Sequence, residues 1–116
     1  ALRLREELNI KNVMLTDPVG YLESTALLRH CREVVTDSGG LQTEAFFARK
    51  KCVTILPFEV WPETMVEGRN ELSAPEAGSI LSALRHPQHI DPDYQPFGDG
   101  HAGKKIVEAM ERRLHW

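Results

Sequence analysis

The run Val34-Val35-Thr36-Asp37-Ser38-Gly39-Gly40-Leu41-Gln42-Thr43-Glu44-Ala45 holds the residues best suited to chemistry in this chain. An apolar stretch enters Ser38-Gly39-Gly40, and helix-forming residues follow at once. Such a turn leaves backbone N–H groups free at a helix start, and two glycines without Cβ atoms let a phosphate come close. Glu44, six residues past Ser38, adds a carboxylate one and a half turns along, where it can hold the hydroxyls of a ribose. The combination reads as a site for a nucleoside diphosphate. Ser38 alone could equally be the N-cap of an ordinary strand-to-helix turn, and the helix dipole favours an acid near its start in any case. Gln42 is a further candidate on the same helix, and Asp37 reads as a residue that orders the turn.

The elements around this turn alternate. Residues 2–8 read as the tail of a helix. Asn12-Val13-Met14-Leu15 predicts a first short strand, and Tyr21 to Arg32 a helix. Glu33 to Thr36 predicts a second strand, Gly40 to Arg49 a helix with Leu41, Ala45 and Ala48 on one stripe, and Lys51 to Leu56 a third strand stopped by Pro57. Pro62 to Glu67 fits a short helix with proline in its first turn, Asn70 to Leu72 a short fourth strand, and Pro75 to His86 a helix with Ala77, Ile80, Leu81 and Leu84 in helical register. A Pro- and Gly-rich connection from Pro87 to Gly100 leads to a last amphipathic helix, Lys104 to Leu114, carrying Ile106, Val107, Met110 and Leu114. Strands alternating with helices imply an α/β fold, a parallel sheet covered on both faces. Ligands on such sheets bind beyond the C-terminal strand ends. The Ser38 turn, Asp17-Pro18 and Phe58-Glu59 follow three of those ends and should be neighbours.

Composition excludes several classes. The 116 residues are 41% hydrophobic, enough for one core, and the net charge is −3 from 14 basic and 17 acidic residues. No basic face for nucleic acid or an anionic membrane emerges, and no apolar stretch approaches the ~20 residues a membrane helix needs. Cys31 and Cys52 lack metal-ligand spacing and read as buried or half-buried thiols of a reducing compartment. His30, His86, His89, His101 and His115 show no ligand spacing, so a metal site is not expected.

Four ordered motifs resemble the C-terminal part of the non-hydrolysing UDP-N-acetylglucosamine 2-epimerases. They are Val35 to Gln42 with Glu44-Ala45, the Trp61-Pro62-Glu63 turn, Glu67-Gly68 with Asn70, and Phe97-Gly98-Asp99-Gly100 before a last helix. The resemblance implies a Rossmann-like parallel sheet, the C-terminal half of a two-domain glycosyltransferase-B-like fold. It implies residues 1–116 as a partial UDP-binding domain, 87–102 as a connecting loop, and 103–116 as a helix crossing toward a missing N-terminal domain. It also implies binding of UDP or a UDP-sugar, with Ser38, Gly39 and Gly40 on the diphosphate, Glu44 on the ribose, and Gln42 and Trp61 as further contacts. The implied reaction is C2 epimerisation by anti-elimination and re-addition of UDP, with no metal or nicotinamide cofactor and with the acid and base on the missing domain. On that basis the 116 residues alone are inactive. A homodimer in the cytoplasm, serving bacterial cell-surface polysaccharide synthesis, is the implied setting.

Two departures stand out. Many members of the family carry arginine where this chain has Trp61, which exchanges a bidentate phosphate donor for an indole and leaves the sugar open, a UDP-diacetamido uronic acid included. Ser24 occupies the position where an aromatic residue near the uracil is usual. A glycosyltransferase donor domain would use the same phosphate logic, and a doubly wound binding module is the non-enzymatic rival. Asp17, standing alone before Pro18, does not supply the acidic cluster a receiver-type module needs.

Overall fold

A computed structural model describes residues 2–114. In chain order it contains α1 (Leu2–Glu7), α2 (Tyr21–His30), β1 (Glu33–Thr36), α3 (Gly39–Phe47), β2 (Lys51–Thr54), two 3-10 turns (Pro62–Thr64 and Val66–Gly68), β3 (Asn70–Leu72), α4 (Ala77–Arg85) and α5 (Ala102–Leu114). The three strands form one parallel sheet in the order β1-β2-β3. The register pairs Val34 with Cys52 and Cys52 with Asn70, so these three share a face.

The central strand explains the layering. Cys52, Val53 and Thr54 are all essentially inaccessible, and successive strand residues point to opposite faces, so both faces of β2 are covered. On the Cys52 face, Leu28 of α2 and Ala45 of α3 pack with Val34 and Cys52 into the main cluster, flanked by Cys31, Leu41 and Ala48. On the Val53 face lies α4, whose Ala83 is buried. Val35 of β1, on that second face, remains 44% exposed. Below the sheet, Lys51 is buried, donating to the Gly68 carbonyl at 2.6 Å and to the Glu71 carboxylate, which His86 Nδ1 also meets at 2.8 Å.

The structure corrects several sequence expectations. Asn12–Leu15 is not a strand; Val13 and Met14 are exposed, and β1 has no partner on its outer edge among the described residues. An apolar run becomes a strand only where a ladder accepts its backbone, so three strands form instead of four. The second helix stops at His30, because Cys31 is already extended. The strand from Lys51 ends at Thr54, although Ile55 N–H still reaches the Thr36 carbonyl at 2.8 Å. The expected helix over Pro62–Glu67 is two 3-10 turns with Met65 between them, and the second contains left-handed Glu67 (φ 53°).

The radius of gyration is 18.3 Å, well above the ~13 Å of a compact chain of this length. The extents are 66 × 30 × 26 Å, and both ends of the described chain lie off the core: residues 3–20 bury no side chain, and α5 buries none of its residues, with its stripe of Ile106, Val107, Met110 and Leu114 exposed. Of the expected segment 103–116, and of His115, the last two residues lie outside the described residues, as does Ala1. No helix among the described residues is long and apolar enough to cross a membrane.

Candidate functional site

The Ser38 turn stands at the C-terminal end of β1, where β1 hands over to α3. Three local bonds fix it. Ser38 N–H donates to Thr36 Oγ1 at 3.0 Å, Leu41 N–H donates to Ser38 Oγ at 3.3 Å, and Gln42 N–H donates to the Ser38 carbonyl at 3.0 Å. Ser38 is therefore the N-cap, and it satisfies one of the donors that every helix start leaves open. The N–H groups of Gly39 and Gly40 have no acceptor among the described residues. Gly40 is exposed and Gly39 half-buried. The Ser38 hydroxyl, while accepting from Leu41, has no acceptor for its own proton among the described residues. The turn thus offers two amides and a hydroxyl at the positive end of a nine-residue helix.

The loop after β2 closes one side of this turn, through Val60 and Trp61. A Cβ on Gly39 would meet Val60 Cγ1 at 3.1 Å and Trp61 Nε1 at 3.4 Å, so glycine is what lets the two segments touch. Trp61 sits in the left-handed region at φ 53° and ψ 64°, an uncommon backbone state for a bulky residue. Its carbonyl receives Thr64 N–H at 2.9 Å and Thr64 Oγ1 at 2.8 Å. The indole is 46% exposed, and its N–H has no acceptor among the described residues.

Gln42 departs from its expected role. It is fully buried, and its amide is spent inside the protein. Nε2 donates to the Val60 carbonyl at 2.6 Å and to Thr64 Oγ1 at 2.7 Å, while Oε1 accepts from Thr54 Oγ1 at 3.2 Å. No polar atom of the side chain is left to face a ligand. Gln42 instead ties α3 to the tryptophan loop and to β2.

Glu44 lies on the other flank. Half-buried, it lines a groove of about 400 Å³ between α2 and α3 with Tyr21, Thr25, Leu28, Arg29, Phe47 and Ala48. Its carboxylate has neither hydrogen bond nor ion pair among the described residues, which leaves both oxygens available as acceptors.

The glycine turn before α5 is a local cap. Asp99 accepts from Lys105 Nζ at 2.8 Å and from His101 N–H at 3.0 Å, and these bonds hold its carboxyl below the usual range. Glu63 is exposed, and its carbonyl receives the Tyr94 hydroxyl at 3.0 Å. No group of three or more His, Cys, Asp or Glu side chains is gathered as for a metal ion among the described residues. Asp17, expected near the Ser38 turn, is exposed and forms no hydrogen bond there among the described residues.

Sequence reasoning missed Thr64, Tyr94 and the contacts of Phe97. A threonine two residues past Pro62 carries no signal of its own. The Thr36-Asp37-Ser38 spacing, by contrast, is a recognisable side-chain-to-backbone turn.

A parallel sheet flanked by helices, with a serine-capped glycine turn at a strand's C-terminal end, defines a Rossmann-like half of a two-domain glycosyltransferase-B-like architecture. The family model described as UDP-N-acetylglucosamine 2-epimerase matches residues 2–111. A UDP-N-acetylglucosamine 2-epimerase homolog of Methanococcus maripaludis is 38% identical over 111 residues, covering 93% of this chain and 31% of the relative. The UDP-2,3-diacetamido-2,3-dideoxy-D-glucuronate 2-epimerase of Pseudomonas aeruginosa is 39% identical over 110 residues, covering 92% and 31%. The crystal structure of Methanocaldococcus jannaschii UDP-GlcNAc 2-epimerase in complex with UDP-GlcNAc and UDP superposes with a TM-score of 0.75 at 30% identity, covering 95% of this chain and 31% of that one. The chain belongs to the UDP-N-acetylglucosamine 2-epimerase family, in keeping with the resemblance of its motifs to the family's C-terminal part. It spans about a third of the length of the relatives it matches.

Proposed function

We propose that these residues bind the UDP portion of a UDP-sugar, and that the full-length protein epimerises the sugar at C2. The observation that carries this reading is the pair of unclaimed amides at Gly39 and Gly40, on the same helix as an unpaired Glu44 carboxylate, in a chain whose structural neighbour was solved with UDP-GlcNAc and UDP. The diphosphate lies on Ser38, Gly39 and Gly40, with the Trp61 indole N–H as an added donor, and Glu44 takes the ribose hydroxyls.

In the proposed reaction a base removes the C2 proton while the C1–O bond breaks, leaving a C1=C2 double bond and free UDP. Return of a proton to the opposite face of C2, with the C1–O bond re-formed, gives the epimer. Charge grows on the leaving diphosphate, and preorganised N–H donors stabilise it where it develops, at about 2.7–4 kcal/mol per donor. Every donor named here is neutral. The balancing cations, and the acid and base, therefore belong to a facing domain outside these residues, and the 116 residues alone do not turn over substrate. The exposed stripe of α5 suits a helix that crosses to that domain. A reducing, cytoplasmic setting fits the two free thiols.

Calorimetry of the full-length protein with UDP, UMP and ATP tests the site, with UDP expected to bind tightest. ATP binding as tight as UDP would overturn it. Turnover of UDP-N-acetylglucosamine against the UDP-diacetamido uronate tests the sugar, because Trp61 removes a cation and a relative named for the uronate is 39% identical.

A further inference from the structure

We propose that Phe97 is a positioning residue for the nucleotide site: its ring holds the Trp61 indole against Gly39, beside the open amides. This inference rests on the UDP-binding reading above and adds a residue that touches no ligand.

The contacts run in an unbroken line. Arg69, 6% exposed, lays its guanidinium 3.8 Å from the Phe46 ring centre and donates from Nη2 to the Phe46 carbonyl at 2.9 Å. Phe46 is buried and meets the Phe97 ring edge-to-face at 5.6 Å. Phe97 also tilts onto Phe47 at 5.5 Å and meets Trp61 edge-to-face at 6.0 Å. Trp61 Nε1 lies 3.4 Å from the Cβ position of Gly39. Aromatic pairs at these separations have a preferred geometry, so each ring orients the next.

The backbone alone does not aim the indole. Gln42 and Thr64 fix the Val60 and Trp61 carbonyls, but the tryptophan side chain projects from an exposed loop and is nearly half exposed. Without a ring beside it, the indole would spread over several rotamers. Phe97 supplies that ring from 36 residues away in sequence. Its own segment is stapled down by the Tyr94 hydroxyl on the Glu63 carbonyl and by the Tyr94 ring on Phe46 at 6.3 Å. The strap between α4 and α5 is thereby mechanically joined to the anion-binding turn. Phe97 is itself 37% exposed, and none of its ring partners belongs to the cluster of Leu28, Val34, Ala45 and Cys52, so its removal leaves that cluster in place.

The test uses the full-length protein and UDP as probe. Phe97→Ala should weaken UDP binding about tenfold, Phe97→Tyr should stay within about twofold of native, and Phe97→Ala added to Trp61→Ala should cost less than about twofold more. Phe97→Leu keeps volume without an aromatic edge and serves if the alanine variant folds poorly; it should weaken binding in the same direction. The Trp61 emission, taken as the difference from Trp61→Phe, should shift to longer wavelength in Phe97→Ala. Native-like UDP affinity in both Phe97→Ala and Phe97→Leu, or a tenfold loss that persists in the Trp61→Ala background, would overturn the proposal. Native protein that fails to bind UDP would overturn the nucleotide reading itself, and this role with it.

Discussion

Gln42 Nε2 reaches the Val60 carbonyl at 2.6 Å across 18 residues of sequence, so the helix that opens at the Ser38 turn also holds the loop that walls that turn. Gln42→Leu would leave the Val60 carbonyl without its partner, while Thr64 Oγ1 keeps its bond to the Trp61 carbonyl and Thr54 Oγ1 its bond to Asn70 Oδ1. At about 1–3 kcal/mol for a buried group left unpaired, we expect a net loss of about 2 kcal/mol. Urea unfolding measures it. A loss under about 1 kcal/mol would mean that the amide does not brace the loop.

The two glycines should behave differently. Gly40→Ala meets only Ser38 Oγ at 3.6 Å, so stability should hold or rise by about 0.5 kcal/mol. Any loss of UDP affinity in that variant then reports the approach of the ligand. Gly39→Ala pushes Val60 and Trp61 aside and should cost about 1 kcal/mol together with at least a tenfold loss of affinity. Thermal melts paired with UDP titrations separate the two effects.

Glu44 is expected to act through the ribose. Glu44→Gln should weaken UDP binding about tenfold, the scale of a charge-assisted hydrogen bond. The same substitution should matter far less when the ligand is 2′,3′-dideoxyuridine diphosphate. Equal losses with both ligands would move the carboxylate away from the sugar hydroxyls.

Acid should loosen the underside of the sheet. Burial alone would raise the Glu71 carboxyl, but the hydrogen bonds from Lys51 and His86 outweigh it and hold Glu71 below its ordinary 4.5. A carboxylate with a lowered folded value contributes stability above its unfolded value and loses it as pH falls through the folded one. Stability should therefore decline from about pH 4.5 downward, and less steeply in Glu71→Gln. That variant should already be weakened by about 3 kcal/mol at pH 7, because it leaves the buried Lys51 charge without its anion. Denaturant midpoints across pH 3–7 decide the matter.

Base should act through Cys52. Burial pushes its thiol up to about 11, so the folded state keeps a proton that the unfolded state releases from about pH 9. Stability should fall as pH rises through that window and should do so less in Cys52→Ala. At pH 7.5 iodoacetamide should label Cys31, which is half-buried, well before Cys52.

Local signals made much of this molecule readable. Ser38-Gly39-Gly40 marked a helix start because capping and glycine chemistry act within a few residues, and β1 and β3 fell where their patterns placed them, while α3 begins at Gly39 and ends at Phe47, two residues before the expected Arg49. The Asn12–Leu15 strand failed although the outer edge of β1 is open: pairing is non-local, and an apolar run does not announce whether it will reach an edge. Gln42 was misplaced for a related reason. A glutamine on an early helix turn looks like a surface residue until the loop bearing Val60 and Thr64 folds over it. Phe97 was visible as part of a motif, but its three ring partners come from positions 46, 47 and 61, which no local period connects.

The outer edge of β1 carries a further consequence. It presents backbone donors and acceptors with no neighbour among the described residues, next to a half-exposed Val35. Open strand edges of this kind recruit other chains. Expressed as an isolated piece, these residues would self-associate through strand addition, and a charged residue in place of Val35 would be the first change to make toward keeping the piece in solution.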